Sequence, residues 1–364
     1  MIRKLLQKIP SPFGSPQRKR TTPTVIPASQ HSLRRERLSR HAVTVVERLQ
    51  QAGYQAFAVG GCVRDLLLNV EPKDFDIATS ATPEQVRATF RNSRLIGRRF
   101  KLAHVHFGRE IIEVATFRTN HEEETSAEQS RQSESGRLLR DNVYGTFEQD
   151  AQRRDFTINA LYYDPSTERI LDYANGVHDI RNHLIRLIGD PTQRYQEDPV
   201  RMLRAVRFAA KLDFDIEKHS AAPIYKLAPL LGGIPAARLF DEVLKLFLSG
   251  HARDSYEQLQ SLGLFRFLFP ETQQALEGEK GQIWEAMLLA AMDNTDKRLA
   301  DGKPVTPAFI YAVLLWPIIQ ERMGHYLSSG LPPAQALHKS ATRALNTQIK
   351  HTAIPRRFST VMHE

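Results

Sequence analysis

Gly60-Gly61-Cys62-Val63-Arg64-Asp65-Leu66-Leu67-Leu68-Asn69, followed shortly by Lys73-Asp74-Phe75-Asp76-Ile77-Ala78-Thr79, is the stretch on which the fold turns. The run from Gln55 to Gly60 has strand character and the run from Gly61 to Leu68 helix character, so the glycine pair sits at a strand-to-helix turn. Such a turn lets backbone approach a ligand closely, and the free N–H groups of a helix start can face a phosphate. Arg64, one turn in, would add a charged fork to the same anion. Asp74 to Thr79 reads as a second strand. Alternation on a strand puts Asp74 and Asp76 on one face, with Phe75 and Ile77 turned into the core. Two carboxylates so placed repel unless a cation lies between them, and hard oxygen donors suit Mg²⁺. The plain alternative is a solvated face of an edge strand.

Working outward, apolar spacing predicts a helix at about 39–52 ending at Gly53. Thr82-Pro83-Glu84-Gln85 offers an N-cap, a proline at the first helical position and a capping-box partner. Strands at Leu102 to Phe107 and Glu110 to Phe117 flank Gly108-Arg109 and form a hairpin. Glu113 stands in the apolar run Ile111-Ile112-Glu113-Val114-Ala115, where an unpaired carboxylate is costly. A metal site on the neighbouring strand would explain it; compensation by an arginine such as Arg118 is the alternative. Three strand-borne carboxylates are what a two-metal phosphoryl-transfer site needs. His104 and His106, at period two, read as sheet packing in the absence of a third ligand. Residues 119–143 are polar and aperiodic and read as a mobile surface excursion. Beyond Asp190 no convincing strand is found, only apolar residues at helical spacing such as Val200, Leu203, Val206 and Ala210.

A chain of 364 residues that is 41% hydrophobic and 25% charged has material for two or three domains with buried cores. Disulfide-stapled, collagen-like and wholly disordered classes are excluded. The net charge of +9 is confined to residues 1–40, which hold ten basic residues and one acid; the remainder is balanced. Residues 1–33, rich in Pro, Ser, Thr and basic side chains, read as a flexible basic tail, with the globular chain starting near Leu38. The single cysteine, Cys62, forbids an internal disulfide and reads as a small buried residue of a cytoplasmic protein. No run approaches the roughly 20 apolar residues that cross a bilayer, so no integral membrane segment is expected.

In order along the chain, GGCVRDLLLN, KDFDIAT, IIEVATFR, RRDFTINALYYD and EDPVRMLRAVRFAAKL resemble the motifs of the class II nucleotidyltransferase superfamily, which comprises bacterial poly(A) polymerases and CCA-adding tRNA nucleotidyltransferases. The resemblance covers about residues 40–250. Arg94 to Val105 (RLIGRRFKLAHV) is most similar to the poly(A) polymerase I branch. It implies an α+β fold: a nucleotidyltransferase head (34–180) with a small mixed β-sheet and helices, then an all-helical neck (181–250) and body (251–364). It implies Asp74 and Asp76 as the metal-binding catalytic pair, with Glu113 beside them and Asp155 counted with the active site near the ribose. Gly60, Gly61, Arg64, Arg154 and Asn159 would surround the nucleotide; a surface ion pair is the plain reading of Arg154 and Asp155.

Glu197-Asp198-Pro199-Val200-Arg201 resembles the family's base-reading motif. Asp198 accepts and Arg201 donates, which matches the amino donor and ring-nitrogen acceptor that adenine and cytosine both present and that guanine and uracil reverse. Asp198 is also a candidate N-cap. Arg201, Arg204 and Arg207 recur every three residues and share a helix face, drifting about 60° per step; that face either lines a triphosphate cleft or is solvated. Gly232 to Glu242 reads as a structural turn and helix. Relatives continue into further helices and a basic RNA-binding tail, so the resemblance implies a chain shortened at its C-terminus. The expected function is template-independent polyadenylation of RNA 3′ ends, adding AMP from ATP with two Mg²⁺ ions and releasing pyrophosphate. CCA addition to tRNA is the alternative, and a non-catalytic RNA-binding protein of the same fold is a third reading, disfavoured because the carboxylates are present. RNA 3′ ends and ATP are the implied partners; the oligomeric state is not legible.

Overall fold

The computed structural model describes residues 22–97, 101–119 and 144–363. The chain forms two compact units, one running to Val177 and taking back Ile188–Asp190, the other comprising His178–Leu187 and Pro191–Glu364. No helix among the described residues is long and apolar enough to cross a membrane.

The first unit is built on an eight-stranded sheet. Its strands are β1 (Thr24–Ile26), β2 (Ala56–Val59), β3 (Asp76–Thr79), β4 (Ser93–Ile96), β5 (Leu102–Phe107), β6 (Glu110–Thr116), β7 (Leu161–Asp164) and β8 (Arg169–Asp172). They lie in the order β1-β8-β7-β2-β3-β6-β5-β4, with β3 and β6 parallel and every other pair antiparallel. Helix α1 (Arg40–Gln51) starts where the Ser39 hydroxyl accepts from the His41 and Ala42 amides, and buries Ala42, Val45, Val46 and Leu49 at helical spacing. Helix α2 (Gly61–Leu67) follows the glycine turn. Helix α3 (Pro83–Thr89) carries the anticipated capping box, Thr82 and Gln85 bonding reciprocally across it. Helices α1 and α3 pack on the sheet's strands. Helix α4 (Phe147–Arg153) contributes Ala151 to a cluster with Phe57, Val59, Ala78, Phe117 and Tyr162, against which Phe147 and Tyr173 pack.

Residues up to 33 read from composition as tail, yet β1 pairs with β8, Thr24 opposite Asp172, and Leu33 is fully buried. The buried apolar residues Ile26 and Leu33 are too sparse to stand out against Pro and Ser in a composition average; residues 1–21 lie outside the described part. The second strand begins at Asp76 rather than Asp74. Phe75 is accordingly half-buried instead of turned fully into the core. A short strand does lie beyond Asp190: β10 (Asp215–Ile216) runs parallel to β9 (Leu184–Ile185), two residues being too few to show a period. Most of the excursion at 119–143 also falls outside the described residues, as do Arg98, Arg99 and Phe100.

The second unit is otherwise helical. Helix α5 (Gly176–Arg181) leads into it, followed by α6 (Pro191–Glu197) and α7 (Val200–Leu212). In α7 the residues between the arginines are buried and Arg201, Arg204 and Arg207 are only half-buried, so these three do share one face. The longest helices are Gly281–Ala300, Pro307–Ser328 and Pro333–Gln348.

Candidate active site

Three loops reach the same end of the sheet because β2 is antiparallel to both β3 and β7. The Gly60-Gly61 turn leaves β2, Asp74 and Phe75 enter β3, and Arg154 to Ala160 enter β7. Register places Val59 opposite both Asp76 and Tyr162. On the other side of β3, Asp76 is the parallel partner of Glu113, and Glu113 faces His104 on β5. Residues in register project to one face, so Asp76, Glu113 and His104 form a row across three strands.

Asp74 and Asp76 are exposed. Solvent reaches Asp76, yet the protein crowding it, and then Glu113 and Asp74, push its carboxyl up to about 6 against the pull of Arg154. A bound divalent cation would relieve that crowding of negative charge around Asp76, and the donors are all hard oxygens. Asp74 and Asp76 could therefore hold such a cation as a pair, with Glu113 adjacent. Among the described residues no three His, Cys, Asp or Glu side chains converge as a closed metal cluster. Glu113 Oε2 lies 3.4 Å from His104 Nε2, and Arg118, the alternative partner, acts on Glu113 electrostatically.

Gly60 has φ +77° and ψ −126°, a backbone that side chains with a Cβ avoid, and a Cβ there would lie 3.4 Å from Arg154 Nη1. Arg64 is buried; its Nε donates to Asp65 at 2.8 Å and its Nη1 to Asn159 Oδ1 at 2.6 Å. Asn159 in turn donates to Asp155 Oδ1 at 3.2 Å, and the Phe156 amide donates to that oxygen at 2.8 Å. Arg64, Asn159 and Asp155 are thus one hydrogen-bonded chain linking the glycine turn to the β7 loop. Arg64 is engaged in that chain rather than projecting alone as an anion fork.

The organising acid of the β7 loop is one that sequence reading missed. Asp150, on α4, accepts from Arg154 Nη2 at 3.0 Å and the Tyr162 hydroxyl at 2.7 Å through one oxygen, and from Arg153 Nη2 at 2.8 Å and the Arg118 amide at 3.2 Å through the other. Burial alone would raise its carboxyl; Arg154, Arg153 and Tyr162 outweigh that and hold it at about 2. Its i,i+4 spacing to Arg154 was the available signal. Cys62 is buried as expected, its thiol pushed up to about 12 first by burial and then by Asp76. Such a thiol is inert.

In the second unit Asp198 accepts from the Val200 amide at 3.2 Å, so the N-cap contact is made, and from Arg238 Nη2 at 2.7 Å. Arg201 Nη1 donates to Glu197 Oε2 at 2.7 Å and to the Arg194 carbonyl at 2.6 Å. Asp198 and Arg201 are therefore oriented by separate partners. Arg238, read from sequence as part of a structural turn and helix, is one of those orienting groups. The Arg204 and Arg207 guanidiniums lie 5.4 and 4.5 Å from the Phe208 ring.

Three family models match the chain: "Poly A polymerase head domain" over residues 56–186, "Probable RNA and SrmB- binding site of polymerase A" over 213–276, and "Polymerase A arginine-rich C-terminus" over 329–364. Poly(A) polymerase I of Haemophilus influenzae is 48% identical over 352 residues, 96% of this chain and 78% of that protein. Poly(A) polymerase I of Escherichia coli O6:H1 is 48% identical over 343 residues, 94% of this chain and 74% of that protein. Among solved structures, the Bacillus stearothermophilus CCA-adding enzyme in complex with CTP superposes with a TM-score of 0.52 at 27% identity, covering 84% of this chain and 82% of that one.

Proposed function

The chain belongs to the bacterial poly(A) polymerase I family, and from that premise we infer that it is a polynucleotide adenylyltransferase, extending RNA 3′ ends with AMP from ATP without a template. The observation that carries the chemistry is the row Asp76–Glu113 with Asp74 two residues ahead, set at the strand end that the Gly60 turn and the Arg154–Asn159 loop share. In the reaction the RNA 3′ oxygen bonds to the α-phosphorus of ATP, the bond to the β-phosphate oxygen breaks, pyrophosphate leaves and the hydroxyl proton passes to solvent.

Asp74 and Asp76 would hold Mg²⁺, with two ions expected, and when bound these supply activation of the attacking hydroxyl and charge neutralisation at the triphosphate. Gly60 and Gly61 give the phosphates close access to backbone. Arg64 fixes Asn159, and Asn159 fixes Asp155, so the Asp155 carboxylate is oriented toward a ribose 2′-OH, the group that separates ribonucleotides from deoxyribonucleotides. Arg154, anchored by Asp150, supplies positive charge at the glycine turn. We assign base reading to Asp198 and Arg201, with Arg204 and Arg207 on the same helix face for the triphosphate. Residues 181–250 are the base-reading neck and 251–364 the RNA-holding body. The buried, inert Cys62 suits a cytoplasmic enzyme.

The decisive test offers ATP and CTP separately to the protein with an oligoribonucleotide and with a tRNA lacking its terminal CCA. Long A tracts with pyrophosphate release are expected; ordered, self-terminating C, C, A addition would overturn the assignment in favour of a CCA-adding enzyme. Asp74→Asn with Asp76→Asn should abolish turnover and leave the thermal melt in place. ATP or RNA binding without pyrophosphate release by the unaltered chain would point to a non-catalytic protein.

A further inference from the structure

Beside Asp74 the first unit carries a cavity of about 360 Å³ lined by Lys73, Asp74, Phe75, Arg109, Glu110 and Ile111. It lies at the turn end of the β5–β6 hairpin. Ile111 is 45% exposed and precedes Glu113 by two residues, so it stands on the same strand face as the carboxylate row. Phe75 is half-buried there. Glu110 is hydrogen-bonded to His41 Nδ1 at 2.5 Å. Lys73 and Arg109 are exposed and have no hydrogen-bond or ion-pair partner among the described residues. The cavity thus joins two apolar side chains to two exposed cations that make no ion pair among the described residues, with a candidate catalytic carboxylate in its lining.

Sheet order decides which substrate this chemistry fits. The Gly60 turn and the Arg154–Asn159 loop lie on the β2 and β7 side of β3, whereas the cavity lies on the β6 and β5 side. Phosphoryl transfer needs the attacking and leaving oxygens roughly in line, on opposite sides of the phosphorus. If the triphosphate sits at the glycine turn, its pyrophosphate leaves toward β2, and the attacking hydroxyl must enter from the side of β6. We propose that the cavity seats the 3′-terminal nucleotide of the RNA acceptor. Phe75 and Ile111 face its base and sugar, and Lys73 and Arg109 pair with the phosphodiester on its 5′ side. This rests on the polymerase reading and adds to it a primer site.

The test uses the full chain with Lys73→Ala and Arg109→Ala combined, both exposed positions, beside the charge-preserving pair Lys73→Arg and Arg109→Lys. With an oligoadenylate primer, the alanine pair should raise the KM for primer tenfold or more and leave the KM for ATP within about twofold. The charge-preserving pair should recover most of the loss. Fluorescence anisotropy with a 3′-deoxy-terminated oligoadenylate reads binding without turnover. Its log Kd against log salt should become shallower by about 0.7 to 1.4 in the alanine pair, one to two phosphate contacts' worth. Unchanged primer KM, Kd and salt slope would overturn the proposal, as would a rise confined to the KM for ATP, which would assign the cavity to the nucleotide. Failure of the unaltered chain to extend any primer from ATP would instead overturn the polymerase reading itself, and is seen before any variant is made.

Discussion

Asp150 illustrates how a residue can govern a site without belonging to its motif. Its side chain is 2% exposed and its two oxygens answer two arginines, a tyrosine and a backbone amide. Held at about 2 against an ordinary carboxyl near 3.8, it binds its proton less readily folded than unfolded. Its contribution, on the order of 2 kcal/mol, is therefore complete above about pH 4 and is lost as pH falls toward 2. Asp150→Asn removes the carboxylate paired with the half-buried Arg154, and a loss of about 3 kcal/mol at neutral pH is expected, with a flatter melting temperature between pH 4 and 2. Thermal melts across that range check it; parallel acid limbs for both proteins would refute the linkage. The glycine pair offers a second contrast. Gly60→Ala forces a Cβ into φ +77°, at about 1–3 kcal/mol, whereas Gly61 is helical and a Cβ there sits 3.6 Å from Arg64 Nη2, an ordinary contact. Gly61→Ala should be near neutral in stability, and comparable destabilisation of both would remove the backbone argument. The glycines and the Asp74, Asp76 pair were legible in the sequence because their chemistry is written in local spacing. Asp150 was not, because an acid on a helix has many ordinary uses until its partners are known.

At the level of elements, legibility followed length and periodicity. Helix α1, the α3 capping box and the β5–β6 hairpin were all readable, each carrying a repeated pattern or an explicit stop signal. Strands β1 and β10, of three and two residues, were not, since their identity lies in the partner they pair with. The segment that follows β1 makes this measurable. Leu33 is fully buried although it falls in a segment whose composition reads as tail. Leu33→Ala should cost about 2–5 kcal/mol in thermal or denaturant unfolding. A solvated tail would give no change, and that result would detach β1 and its neighbours from the core. The late start of β3 matters in the same way. Asp76 is fixed by ladder bonds while Asp74 stands ahead of them, so one carboxylate of the pair is rigid and the other is set by a loop.

Across the whole molecule, charge and chemistry are distributed separately. The excess of +9 resides in residues 1–40, and the balanced remainder carries several of its arginines in pairs with acids: Arg201 with Glu197, Arg238 with Asp198, Arg154 with Asp150. Reaction chemistry is proposed for the first unit and base choice for the second, which lets variants separate the two. Asp76→Asn should depress turnover with every nucleotide alike. If Arg201 reads the base as proposed, Arg201→Ala should act on the choice of base, because the guanidinium would donate to the ring nitrogen that adenine and cytosine offer and that guanine and uracil replace with a donor. Losing a charged hydrogen bond is worth about 1.5–3 kcal/mol, so the ratio of kcat/KM for ATP over UTP should fall about 10- to 100-fold. The ratio of ATP over CTP should stay nearly where it was, since both bases lose the same bond. Four single-nucleotide kcat/KM values for the unaltered chain and for Arg201→Ala are enough to decide. If ATP over CTP collapses while ATP over UTP holds, Arg201 does not read the Watson–Crick edge, and discrimination between adenine and cytosine must then be credited to the same arginine by some other contact.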